Sequence, residues 1–128
     1  MIEALVLATQ MVAAPMPPQD WSALQPLPYA REIDGDPGLS GFVAAEVKAG
    51  RCAAASPATN GWVLKVDVAV LLGPDGQPRR AVPRAIACPS VEQYAAGLVS
   101  SLARGKAAVA MVQPDAWYRA SLTFSWPA

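Results

Sequence analysis

From Gly61 to Trp126 the chain reads strand, tight turn, strand, capped helix, strand, with a cysteine near either end of the first hairpin. No other feature constrains the fold as much, because each piece carries its own periodicity. Trp62, Leu64, Val66, Val68 and Val70 alternate with Lys65, Asp67 and Ala69, so one face of this strand is apolar and the other wet. Gly73-Pro74-Asp75-Gly76 supplies the turn: proline presets φ, and Asp and Gly tolerate the conformations that follow. The second strand, about Arg79 to Ala87, contains Pro83, which cannot donate to a ladder and pushes the strand to an edge or a bulge. Arg79, Arg80 and Arg84 line it, and charge on an edge strand guards against aggregation.

The main helix follows. Ser90 and Gln93 form a Ser-x-x-Gln capping box with Pro89 just outside it. Val91, Tyr94, Ala95, Leu98, Val99 and Leu102 then make one apolar stripe that needs a sheet to lie on, and Gly105 stops the helix. Residues 106–115 read as a loop whose apolar part, 107–112, suits a short extra strand. The last strand puts Tyr118, Ala120, Leu122, Phe124 and Trp126 on one face and Trp117, Arg119, Ser121, Thr123 and Ser125 on the other. A shorter helix comes earlier, capped by Asp36, with Pro37 in its first position, Gly50 at its end, and Leu39, Phe42, Val43 and Val47 on one face. The expected fold is α+β: a small three-stranded antiparallel sheet, strand-strand-helix-strand, with one helix packed on it and a short preceding helix.

A chain of 128 residues has room for one such domain. The expected organisation is a signal peptide at 1–14, a Pro-rich linker at 15–37 and the α+β domain at 38–128. Ala4 to Ala14 is largely apolar, and Val12-Ala13-Ala14 offers small residues for cleavage. No Lys or Arg precedes that run and Glu3 stands there, so a loosely docked N-terminal segment is the competing reading. The run is too short to span a bilayer. Six of the thirteen prolines fall in 15–37, which reads as extended and irregular chain.

Composition then removes whole classes of chemistry. There is no histidine, the commonest general base and metal ligand. Two cysteines do not make a zinc site. No catalytic, cofactor-binding or metal-binding constellation is found, and no cofactor is implied. Acids and bases balance at ten each, and residues 61–128, with seven bases against four acids, are too weakly basic to argue for nucleic acid, which needs a concentrated basic face. Function therefore falls to a surface or a sheet edge.

Cys52 and Cys88 are the only cysteines, and the hairpin brings their positions to the same end of the sheet. A disulfide there suits an oxidising compartment; two buried thiols in a cytosolic protein are the alternative. With the first strand central, the last becomes an edge that offers N–H and C=O groups to an extended peptide. The candidate partner-facing residues are Trp117, Arg119, Ser121, Thr123 and Ser125. Trp117 has a competing reading, as an aromatic packed on a loop or on the 15–30 segment. Edge strands can also join two copies into a homodimer.

Gly61-Trp62-Val63-Leu64-Lys65-Val66-Asp67-Val68, Asp75-Gly76, Cys88-Pro89-Ser90-Val91-Glu92-Gln93-Tyr94-Ala95-Ala96 and Trp117-Tyr118-Arg119-Ala120-Ser121-Leu122-Thr123-Phe124 look like the successive blocks of the TonB C-terminal domain. The resemblance covers about residues 61–126. It implies a periplasmic, energy-transducer-like domain whose last strand pairs with a short peptide of an outer-membrane transporter. The chain offers no membrane-spanning anchor, its Pro-rich stretch is short, and Tyr29 precedes Ala30 where the family often has Tyr-Pro. It is therefore expected to bind rather than to transduce energy by itself. The function expected is a non-catalytic, periplasmic or secreted module that recognises an extended peptide or protein partner through the edge of its last strand. The alternative is a secreted structural or envelope protein with covered edges, its Pro-rich segment folded across that strand.

Overall fold

The computed structural model describes residues 16–27, 37–105 and 116–128. Its elements are a 3-10 turn at Trp21–Ala23, β1 (Gln25–Pro26), a second 3-10 turn at Pro37–Leu39, α1 (Gly41–Lys48), β2 (Ser56–Ala58), β3 (Gly61–Leu72), β4 (Pro78–Pro83), α2 (Pro89–Gly105) and β5 (Trp117–Pro127). The expected signal peptide at 1–14, the cap at Asp36 and the loop at 106–115 lie outside the described residues.

β3 is the central strand. It pairs antiparallel with β5 along its length, from Gly61↔Pro127 through Val66↔Leu122 to Leu71↔Trp117. On its other side it pairs with β2 at one end and with β4 at the other. The turn between β3 and β4 forms as its residues dictate: Gly76 adopts φ 78°, and Asp75 Oδ1 accepts the Gln77 N–H at 3.0 Å. β4 stops at Pro83, earlier than the Arg79–Ala87 range expected. The main chain of Arg84 still donates to the Asp67 carbonyl at 2.8 Å.

Among the described residues the sheet has five strands, not three, and it is mixed rather than purely antiparallel. The two additional strands are too short to show a two-residue period. β2, Ser-Pro-Ala, pairs with Gly61 to Val63, within the stretch of β3 that the shorter β4 leaves unpaired. β1 comes from within the Pro-rich stretch and runs parallel to β5, Gln25↔Tyr118 and Pro26↔Arg119. Pairing over two residues is held by anchors beyond the strand itself: Trp21 and Leu27 on either side are only 7% and 3% exposed.

Both helices lie on the face of the sheet that carries the even-numbered residues. Leu64, Val66, Val68, Val70, Leu72, Tyr118, Ala120, Leu122 and Phe124 join Val91, Ala95, Val99 and Val43 in one buried core. The Tyr94 hydroxyl donates to the Leu39 carbonyl at 2.8 Å, and its ring stacks at a tilt between Phe42 (4.7 Å) and Phe124 (5.9 Å). Trp62 departs from the expected buried row at 39% exposed, in an open cleft with Trp126, Asn60 and the end of β5.

The start of α2 also differs from its expected form. Pro89 occupies the first helical turn, and Glu92 does the capping. Its carboxylate accepts the N–H groups of Ile86 and Cys88, both at 3.0 Å. Between those donors Ala87 takes a left-handed φ of 62°, which an L-residue adopts only when its neighbours hold it there. Ser90 is thereby released from capping, and it donates instead to Glu46. Cys52 and Cys88 form a disulfide with Cα atoms 5.0 Å apart, tying the loop after α1 to the start of α2.

Candidate functional site

In a two-residue period, side-chain face and main-chain direction are linked. Residues of β5 whose side chains leave the helix layer turn their main-chain groups away from β3. Two contacts fix this parity. The Arg119 carbonyl accepts the Leu27 N–H at 2.8 Å, and the Ser125 N–H donates to Ser40 Oγ at 3.1 Å. Arg119, Ser121, Thr123 and Ser125 thus make up both the outer rail of β5 and a row on the second face of the sheet. Trp117 stands in the same row at the start of the strand, opposite Leu71.

These residues differ in how open they are. Thr123 and Ser125 are exposed, while Trp117, Arg119 and Ser121 are half-buried. Ser121 lies opposite Asp67 in register, and its hydroxyl donates to Asp67 Oδ1 at 2.5 Å. Arg119 Nη1 reaches the Trp21 carbonyl at 3.4 Å. Arg84, whose main chain also bonds Asp67, places its guanidinium 4.9 Å from the centre of the Trp21 ring.

These contacts trace the path of residues 16–27. Trp21 packs on the second face, between two arginines. The chain then passes the outer rail as β1, and Leu27 enters the core on the helix face. Ala69 and Leu71 belong to the face that alternation marks as wet, yet both are buried on the side where Trp21 lies. Asp20 closes the first turn of this segment by accepting the Ser22 N–H at 3.0 Å and its hydroxyl at 2.6 Å. The Ser22 hydroxyl chiefly, with the Ser22 N–H, holds the Asp20 carboxyl below its usual range.

A second cluster was not picked out in the sequence. After α1, the Gly50 N–H bonds the Val47 carbonyl and the Arg51 N–H bonds the Glu46 carbonyl, with Gly50 at φ 79°. This is a Schellman ending, which brings the residues five apart at its two corners together. A hydrophobic pair usually fills those corners; here Glu46 and Arg51 form a forked ion pair, with Arg51 Nη2 2.8 Å and Nε 3.1 Å from the carboxylate. Ser90 Oγ donates to the same carboxylate at 2.5 Å. Glu46 is 9% exposed and Arg51 63%, so the guanidinium covers the acid. The signal was present as Glu46-x-x-x-Gly50-Arg51, but helix pairing rules look three and four residues ahead, not five.

The Arg51 fork and the Ser90 hydroxyl lower the Glu46 pKa from 4.5 to about 2. A carboxylate with a depressed folded-state pKa stabilises the fold above its ordinary pKa, and that contribution is lost as pH falls through the folded value. Unfolding midpoints in denaturant are expected to fall from pH 4.5 to 2, and Glu46→Gln should flatten that slope. An unchanged slope in the variant would remove Glu46 from the acid transition.

Comparisons with known proteins return no matching family model, curated protein or solved structure. No helix among the described residues is long and apolar enough to cross a membrane.

Proposed function

We propose that this protein is a non-catalytic binding domain of an oxidising compartment, and that it takes an extended protein segment along the outer rail of β5. The observation that carries this reading is that the rail already accepts such a segment: Gln25–Pro26 adds to it in parallel, with the Arg119 carbonyl as acceptor. The Cys52–Cys88 disulfide supports the compartment, since such bridges persist where thiols are not kept reduced. The similarity of the strand and helix blocks to the TonB C-terminal domain supports the periplasm and an outer-membrane transporter as partner.

The burial of Trp21 and Leu27 and the Ser40–Ser125 contact favour a second reading, an envelope protein whose edge stays covered. A backbone-amide titration of the oxidised protein with peptides from the plug-side termini of outer-membrane transporters separates the two. Binding is expected to shift amides between residues 117 and 126. Flat spectra up to millimolar peptide, with slow exchange along that strand, would leave the covered-edge reading.

A further inference from the structure

We propose that residues 21–27 are a built-in competitor for the partner, and that the partner copies their chemistry. This rests on the strand-addition reading above. The competitor is described by what holds it. An aromatic ring meets Arg84 on the second face, with Arg119 bonded to the carbonyl of the same residue. Two residues without bulky demands pair with Tyr118 and Arg119. An aliphatic side chain, six positions after the aromatic, fills the place of Leu27 in the core. The partner is accordingly a segment that runs parallel to β5, with an aromatic ahead of the paired residues and a Leu-like residue just after them.

Competition follows from covalent attachment. A segment tethered to its own site acts at an effective concentration on the order of millimolar, so a free peptide meets an occupied rail. Two paired residues and two side-chain anchors make a smaller cooperative unit than the β3–β5 ladder, which places this segment among the parts that open before the whole domain unfolds. Apparent affinity then scales with the fraction of molecules in which the rail is open.

The probe is a labelled peptide with the sequence of residues 19–28 of this chain, added to the oxidised full-length protein. Trp21→Ala in the protein removes the ring from the tethered copy and leaves it on the peptide. The peptide is expected to bind the variant at least about tenfold more tightly than the wild type, with shifts at Arg84, Arg119 and Ser121. Equal affinity for both proteins, or no binding to a variant that keeps its core spectrum, would overturn the proposal.

Hydrogen exchange on the wild type decides the matter if the variant does not fold. The Leu27 amide should exchange at least about tenfold faster than the amides of Val66 and Leu122, because it opens without them. Matching rates would mean that the segment leaves only on global unfolding, and the proposal fails. The binding reading is judged separately. Transporter peptides that bind wild type and Trp21→Ala equally would sustain that reading and sink the competitor. Transporter peptides that bind neither, while the 19–28 peptide binds the variant, would do the reverse.

Discussion

Leu122→Ala should lower the unfolding free energy by about 3–5 kcal/mol, read from the denaturant midpoint at constant slope. Leu122 lies opposite Val66 at the middle of the longest strand pair and is fully buried. Leu122 shares one close-packed core with Val66 of β3 and the α2 stripe, so the cavity left by the missing methyl groups has little room to collapse. Ser125→Ala, three positions along the same strand but on the opposite face, should change stability by no more than about 0.5 kcal/mol. Its side chain is exposed, and its contact to Ser40 uses the main-chain N–H, which alanine retains. If the two substitutions cost similar amounts, the assignment of faces along β5 is wrong.

Removing the disulfide by the double substitution Cys52→Ala/Cys88→Ala should cost about 4 kcal/mol. The bridge links positions 36 residues apart and encloses β2, β3 and β4, so its chief effect is to restrict the unfolded chain. Alanine is small and apolar, and both sulfur sites are buried, so little solvation change is added. The comparison is made by denaturant unfolding of the oxidised protein, the reduced protein and the double variant. Reduced protein and variant should agree; a variant as stable as the oxidised protein would mean that the cross-link does not limit the unfolded ensemble.

The two effects test different levels of the structure. The first follows from side-chain alternation, a local property written in the sequence. The second depends on where a hairpin brings two distant cysteines. That pairing was legible because the hairpin was: the Gly73–Gly76 turn folds the chain back along β3 and returns Cys88 toward Cys52. The α2 stripe and the β5 alternation were legible for the same reason, since long periodic segments must bury one face.

What was not legible has equally physical causes. Ser90 lies inside the first turn of α2, where its hydroxyl donates to Glu46, forty-four residues away, while the Glu92 carboxylate accepts the N–H groups of Ile86 and Cys88. Ser40 stands at the start of α1 but makes no side-chain cap there, since its hydroxyl accepts from β5 instead. The local rule named Ser90 for α2 and Asp36 for α1, but α1 begins at Gly41, after Ser40; the hydroxyls of both serines bond partners from other elements. β1 and β2 escaped because Gln25–Pro26 and Ser56–Ala58 have no period of their own and pair only where a longer strand leaves groups unmet.

The candidate site divides along the same line. The sequence by itself determined that Trp117, Arg119, Ser121, Thr123 and Ser125 share one side of the last strand, because the pleat alternates whatever lies around it. Only the tertiary structure decided how open that side is. Trp21 and Leu27 carry enough apolar surface to hold an irregular proline-containing segment around the strand, one anchor on each face. Alternation reports which way a side chain points. It carries no information about a distant segment that comes to cover it.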